Sequence, residues 1–264
     1  MDQPTRDTID QPACDTVDQP ACDTVDQPAC DTADQPVCDT VDQPAGDTVD
    51  QPACDVCRRP RVVCVCDRVI SYPTVRRVLI LQHPREQDAL LGSAQILVAS
   101  LPKAKLVIGL SWRNLGHALG EENVDPRKWA VLFPDRDAQG NELTTRRGAQ
   151  LDPKNLEGII VLDGTWSKAK SLWWRNPWLD KLNRMSLQPT KPSIYGRLRI
   201  EPRREYVSTL ESVAAALTSC GESPDIEVGL SRVFRTLMQR VRDANLAPEQ
   251  RRLPRKTRPA RAPG

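Results

Sequence analysis

The sequence predicts an α/β domain built on a mostly parallel β-sheet, preceded by a four-cysteine zinc motif and a disordered repeat arm. Short apolar runs rich in β-branched residues alternate with segments of helical apolar spacing, which is typical of a parallel sheet covered by helices. Residues 1–53 show neither pattern. We therefore expect an arm over 1–53, a zinc motif over 54–70, the α/β domain over 71–247 and a basic disordered tail over 248–264.

The arm repeats the octapeptide Asp-Gln-Pro-Ala-Cys-Asp-Thr-Val. Regular prolines and aspartates leave too little apolar surface to offset the entropy of ordering, so we expect disorder. A single cysteine in each copy cannot assemble a tetrahedral metal site locally. Duplication of a short segment therefore explains the arm better than a metal-scavenging or redox function does.

Charge is distributed unevenly along the chain. Residues 1–53 contain 13 Asp and one Arg, a net charge of −12. Because the whole chain has a net charge of +2, the remaining residues carry +14. A basic body is typical of a protein that binds a polyanion. No apolar run approaches the roughly 20 residues of a membrane span, and the N-terminus lacks a basic-then-apolar signal. We expect a cytoplasmic protein with no membrane partner.

Four cysteines follow the arm with the spacing Cys54-x2-Cys57-x6-Cys64-x-Cys66. In the cytoplasm, closely spaced cysteines are metal ligands more often than disulfides. Four thiolates can close a tetrahedral zinc site with no open position, which predicts a structural metal. Redox use of the Cys54 and Cys57 pair is the minor alternative.

The elements of the α/β body are predicted from apolar spacing. Apolar runs predict strands over residues 75–81, 105–110, 129–133, 158–162 and 193–200. Helical spacing predicts helices over 89–101, after Trp166, over 212–218 and over 225–247. No G-x-G-x-x-G follows any strand, so a dinucleotide-binding fold is not indicated.

The buried strand at 158–162 ends in Asp163, Gly164, Thr165 and Trp166, and a helical pattern follows. Ligands of open α/β sheets collect where strands end and the chain turns toward a helix. A carboxylate, a hydroxyl and an indole at that edge are candidates for a reactive centre. The alternative is a strand exit in which Asp163 or Thr165 caps the next helix.

Two further segments contain candidate binding residues. Basic residues and indoles alternate over 166–178, which could bind phosphates and stack bases or could form the buried stripe of an amphipathic helix. Ser208 and Glu211 have the spacing of a capping box, and a helix N-terminus also offers N–H groups to polar ligands.

The sequence resembles the DTW-domain family of tRNA-uridine aminocarboxypropyltransferases, and the cysteine cluster fits that family too. The matching segments, in the family's order, are LQHPRE at 81–86, LFP at 132–134, DGTW at 163–166, NP at 176–177 and STLESVA at 208–214. The resemblance implies a SPOUT-like domain, with the question of a knotted C-terminal part left open.

The resemblance also implies transfer of the 3-amino-3-carboxypropyl group from S-adenosylmethionine to N3 of a tRNA uridine. This reaction needs a base for the N3 proton, and Asp163 is the candidate. The implied catalytic residues are Asp163, Thr165 and Trp166. The implied residues around S-adenosylmethionine are His83, Leu132, Ser208, Thr209, Leu210 and Glu211. A SPOUT-type RNA methyltransferase and a non-catalytic zinc-dependent RNA-binding module are the alternatives.

Overall fold

In the computed structural model, residues 52–133, 140–189, 191–199 and 207–246 are described. Their centre is a six-stranded sheet in the order β2-β1-β5-β3-β6-β4. All neighbours are parallel except β4 and β6. The strands are β1 (Arg77–Gln82), β2 (Ala104–Ile108), β3 (Trp129–Leu132), β4 (Glu142–Thr144), β5 (Gly158–Asp163) and β6 (Asn183–Ser186). The predicted arm, apart from its last two residues, and the predicted tail lie outside the described residues.

Helices pack on both faces of the sheet, as continuous apolar runs in the strands predict. The helices are α1 (Ala94–Ser100), α2 (Leu115–Leu119), α3 (Trp166–Arg175), α4 (Thr209–Ser219) and α5 (Pro224–Asp243). One core joins a sheet face to α1, α4 and α5, and a second joins the other face to α2 and the segment around Leu179. No helix within the described part of the chain is both long and apolar enough to cross a membrane.

Alternation along the central strands divides their side chains between the two cores. Ile159 and Val161 belong to the first core, whereas Ile160 belongs to the second. All three are buried, which confirms the prediction that this strand is covered on both faces. Trp129 lies so close to Gly158 that a Cβ there would meet the indole at 2.5 Å, so the first position of β5 requires glycine.

The structure departs from the predicted elements in several places. The predicted strand over 193–200 is wrong, because its described part contains a 3₁₀ helix, Gly196–Leu198. Gly196 has a φ of +54°, and the Ile194 N–H is bonded to a glutamate side chain instead of a neighbouring strand. The first helix begins at Ala94, five residues later than predicted. The prediction also missed α2, β4 and β6, which are short.

Asn176 fixes the segment that follows α3 to the loop that follows β2. This fully buried amide accepts hydrogen bonds from the Trp112 N–H (2.8 Å) and the Trp178 indole (3.2 Å). Its Nδ2 donates to the carbonyls of Leu110 (3.0 Å) and Leu172 (2.7 Å). Both donor positions and both acceptor positions of the side chain are therefore used.

We expect Asn176→Ala to lower the free energy of unfolding by at least about 2 kcal/mol, because each buried group left unpaired costs roughly 1–3 kcal/mol. Urea denaturation of the two proteins measures the difference. Asn155→Ala is the control, since Asn155 is exposed and should tolerate the change. Equal stability of the two variants would contradict the role assigned to Asn176.

Candidate active site and metal centre

The candidate active site lies where β1 and β5 end. These parallel strands are neighbours, and their last residues, Gln82 and Asp163, are register partners. The chain leaves β1 toward β2 on one side and leaves β5 through α3 toward β6 on the other. A crevice opens where connections diverge in this way, and ligands of open α/β sheets bind there.

Asp163 is the centre of a hydrogen-bond network at this point. Gln82 Nε2 donates to Asp163 Oδ2 at 2.7 Å, and Thr209 Oγ1 donates to Asp163 Oδ1 at 2.5 Å. The Asp163 backbone carbonyl accepts from the His83 N–H at 3.0 Å. One carboxyl group thereby joins β1, β5 and the first turn of α4.

The Asp163 side chain is electrostatically unusual because the residue is only 7% exposed. Burial raises the pKa of Asp163 above its ordinary value, and the nearby carboxylate of Glu86 acts in the same direction. The hydrogen bonds from Thr209 and Gln82 and the charge of Arg199 oppose the increase without cancelling it. A carboxylate with a raised pKa is a stronger base than an exposed one.

Asp163 lies on the wall of a cavity of about 410 Å³. The ends of β3, β5 and β6, one side of α3 and the start of α4 form this cavity, whose apolar wall includes Leu132, Phe133, Val161, Met185 and Leu187. Ser208, Thr209 and Ser212 add hydroxyl groups from α4, and Arg199 and Lys170 add cations. A mostly apolar cavity with a few converging polar groups is typical of a small-molecule site.

Tyr195 and Arg199 come from the segment predicted as a strand. Tyr195 is buried against Phe234 with an edge-to-face ring distance of 5.1 Å. The Arg199 guanidinium lies over the Tyr195 ring at 5.1 Å. Because the 3₁₀ turn brings both residues to the cavity, this wall could not be found by assuming strand alternation.

The candidate metal centre consists of the four predicted cysteines, whose sulfur atoms all lie within 4.8 Å of one another. The Cys54 and Cys66 sulfurs are 3.9 Å apart, and those of Cys57 and Cys64 are 3.6 Å apart. Four sulfurs bound tetrahedrally at about 2.3 Å from one zinc ion would be about 3.8 Å apart. The cluster therefore fits zinc in donor type, number and spacing.

Backbone geometry prepares this cluster for a cation. The Cys57 N–H lowers the pKa of Cys54 to about 6, whereas burial raises the pKa of Cys64 and of Cys66. The thiolate of Cys54 is thus favoured over those of Cys64 and Cys66. A divalent metal between the sulfurs would supply the positive charge that favours the thiolate form of its ligands.

The cysteine motif is anchored on the α/β body. Val63 and Val65 are buried in the first core. The buried guanidinium of Arg59 donates to the Leu90 carbonyl at 3.0 Å, and Arg240 of α5 forms a two-pronged ion pair with Asp67. These contacts give the motif a structural role away from the cavity.

The sequence profile of the DTW domain matches residues 51–242. The chain belongs to the DTW-domain family. Proteins named tRNA-uridine aminocarboxypropyltransferase 2 are similar to this DTW chain over 69% of its length. The fly protein (Drosophila melanogaster) is 29% identical over 186 residues, and the macaque (Macaca fascicularis) and mouse proteins are 30% and 28% identical over 192 and 191 residues.

The DTW chain spans 71% of the fly relative and 60% of each mammalian relative. No solved structure matches it.

Five of the predicted site residues of this DTW domain lie together on the cavity: Asp163, Trp166, Leu132, Ser208 and Thr209. Thr165 is exposed and does not line the cavity. It is the N-cap residue of α3, but its side chain makes no capping hydrogen bond. The Asp163 carboxylate bonds to Gln82 and Thr209, so neither side chain caps α3 with a hydrogen bond.

The remaining predicted residues surround the cavity without lining it. Leu210 is buried in the first core, and its N–H donates to the Ser93 hydroxyl at 3.2 Å. His83 Nδ1 accepts from the Arg85 N–H at 3.1 Å, and burial lowers the pKa of His83. A neutral histidine beside the DTW turn is consistent with a supporting role.

Glu211 completes the predicted capping box of α4 and also holds the cavity wall. Its carboxylate accepts from the Ser208 N–H, the Ser193 hydroxyl and the Ile194 N–H, each at 2.9 Å. The segment that carries Tyr195 is thereby fixed to the helix that carries Thr209. Glu211 positions the site and does not line the cavity.

Sequence reasoning included Gln82, Phe133, Trp173 and Ser212 only within longer matching or candidate segments, and it did not consider Met185. Gln82 directly follows an apolar run in the strand next to the DTW strand, so its position at the shared edge was the available signal. Ser212 lies one helical turn after Ser208 and Thr209, which was a second signal. No sequence signal indicated Met185, because β6 was not predicted.

We expect purified protein to hold about one zinc per chain and Cys57→Ser or Cys64→Ser to lose it, because three thiolates no longer close the site. Elemental analysis of gel-filtered protein measures the ratio. Cys220→Ala is the control, since Cys220 is buried at the end of α4 and is absent from the cluster. Unchanged zinc in both serine variants would contradict the assignment.

Proposed function

We propose that the protein transfers the 3-amino-3-carboxypropyl group of S-adenosylmethionine to N3 of a uridine in tRNA and releases 5′-methylthioadenosine. The observation that carries this proposal is the buried Asp163 of the DTW motif, with a raised pKa, on the wall of an apolar cavity. The names of the relatives in three animals support the reaction class.

The cavity suits S-adenosylmethionine in size and chemistry. Its volume of about 410 Å³ lies in the range of small-molecule sites. Apolar walls from β3 and β6 can enclose the adenosine and thioether parts, and the hydroxyls of Ser208 and Thr209 can bond to polar groups. Arg199 supplies a cation for the carboxylate of the transferred group.

Asp163 is the proposed proton acceptor. The N3 lone pair of uridine becomes nucleophilic only when its proton leaves, and Asp163 takes that proton. A bond then forms from N3 to the γ-carbon of the methionine moiety, and the bond from that carbon to sulfur breaks. The bonding electrons go to sulfur, so the positive sulfonium becomes a neutral thioether. Positioning that carbon, and not the methyl, in line with N3 is the other task of the site.

The proposal also includes the metal, the RNA partner and the fold. Cys54, Cys57, Cys64 and Cys66 would hold one structural zinc in a cytoplasmic protein, and zinc would take no part in the transfer. The basic body would bind tRNA. A SPOUT-like arrangement of the six-stranded sheet belongs to the same proposal, and the question of a knotted C-terminal part stays open.

Nucleoside mass spectrometry of tRNA incubated with the protein and S-adenosylmethionine tests this function. We expect a uridine carrying the aminocarboxypropyl group and an equal amount of 5′-methylthioadenosine. A methylated uridine with S-adenosylhomocysteine would identify a methyltransferase instead. Binding of tRNA without any product would indicate the non-catalytic module.

Asp163→Asn should lower the single-turnover transfer rate by roughly 100-fold or more, because an amide cannot accept the proton. The fold should persist. Gln82 Oε1 is buried and has no hydrogen-bond partner among the described residues, so a rotated Gln82 amide can accept a hydrogen bond from the introduced amide. Rapid-quench transfer assays and thermal melting measure the two effects.

The pH dependence of this variant has a definite sign. A carboxyl whose folded pKa is raised stabilises the fold below its unfolded pKa and loses that contribution as pH rises through the folded pKa. Asp163→Asn should therefore melt no lower than the parent at neutral pH.

In the parent, the transfer rate should rise with pH through the pKa of Asp163. Asp152→Asn is the control, because Asp152 is an exposed N-cap residue of the 3₁₀ helix Pro153–Asn155. A transfer rate near that of the parent in Asp163→Asn would leave the base unassigned.

A further inference from the structure

One face of α3 presents aromatic and basic side chains at the mouth of the cavity. Trp166, Lys170 and Trp174 are four residues apart, so they lie one above another along the helix. All three line the cavity. Lys170 is exposed, and the two indoles are 49% and 71% exposed.

The packing of the helix leaves Trp174 exposed. Leu172 is fully buried, and Trp173 packs against Phe133 with ring centroids 5.0 Å apart. Arg184 lies over the same two rings. Leu172 and Trp173 therefore form the buried side of α3. Trp174, in contrast, is among the most exposed large apolar side chains of the described residues. Exposed apolar surface beside a cavity indicates a binding surface.

We propose that Trp166, Lys170 and Trp174 form a stacking platform for unpaired nucleotides that flank the target uridine. The inference rests on the proposed function and names the residues of that same site that bind the nucleotides on either side of the target. Bases stack on exposed aromatic rings only when they are not already stacked and paired with each other.

Dimensions of the helix agree with this platform. Four residues of α-helix rise about 6 Å, so the two indoles are about 12 Å apart along the helix with Lys170 midway. An extended single strand can place one base on each indole and a phosphate between them. The uridine base between the flanking nucleotides would then be free to enter the cavity toward Asp163.

The charges on α3 agree as well. Lys168 is committed to a close ion pair with Glu86, so it is not the cation of the platform. Lys170 lies between the two indoles along the helix, and its side chain is exposed. Lys170 is expected to contribute one phosphate contact. Removing that contact should reduce the steepness of log K against log salt concentration (the salt slope) by about 0.7 for a single strand.

The test is a titration of zinc-loaded, full-length protein with a single-stranded oligouridylate, without S-adenosylmethionine, followed by tryptophan fluorescence. We expect the oligouridylate to quench the parent and an RNA duplex of equal length to quench it much less. Trp174→Ala should weaken binding about tenfold or more, as loss of one stacked base does. Trp174→Phe should restore most of the affinity, and Trp174→Leu should not.

Charge controls separate the platform from general attraction. Lys170→Ala should reduce the salt slope, whereas Arg235→Ala, an exposed arginine on α5, should leave it unchanged. Equal losses in both variants would overturn the inference, as would full affinity in Trp174→Leu or equal binding of the duplex. Dimerisation of the RNA-free parent that is lost in Trp174→Ala would also overturn it, because the indole would then serve a second copy.

The outcome is separable from that of the proposed function, since the titration involves no transfer. Parent protein that modifies tRNA while Trp174→Ala binds oligouridylate normally would refute the platform alone. Parent protein that binds through Trp174 but forms no modified uridine would refute the transfer alone.

Discussion

The hydrogen bond between Gln82 and Asp163 is the contact on which the arrangement of the site depends. It joins the last residues of two neighbouring parallel strands at the point where their connections diverge. Thr209 adds a second donor from α4. A buried carboxyl group without such donors would strongly destabilise the fold, so the three elements are held together by the need to satisfy one side chain.

Contacts outside this centre extend the same constraint to the cavity wall. Thr209 is placed by the capping box of α4, in which Ser208 accepts from the Glu211 N–H at 3.2 Å. Glu211 then fixes Ser193 and Ile194, which places the following Tyr195 against the cavity. The carboxylates of Asp163 and Glu211 each accept hydrogen bonds from more than one segment of the chain, which links the segments to one another. The wall is consequently continuous from β5 to the segment that contains the 3₁₀ helix Gly196–Leu198.

Sequence patterns were sufficient for the parts of the molecule that depend on local spacing. The double-sided burial of β5, the amphipathic α5, the capping box and the approach of four cysteines follow from residue type and period. The partners of Asp163 did not follow, because Gln82 and Thr209 meet it only through sheet register and helix docking. The turn at Gly196 was missed for a related reason: alternation over 193–200 suggested a strand, but the Ile194 N–H bonds to Glu211 of α4 and Gly196 has a positive φ.

The Asp163 network can accommodate the proton that the proposed reaction delivers. Thr209 can rotate its hydroxyl from donating to accepting, since an oxygen of this type does both. The Gln82 amide has a donor end that now serves Asp163 and an acceptor end, Oε1, that is buried without a partner among the described residues. Rotation of that amide would offer Oε1 to a protonated carboxyl group. Both protonation states of Asp163 then have hydrogen-bond partners without movement of the backbone, which is the property that a buried proton acceptor requires.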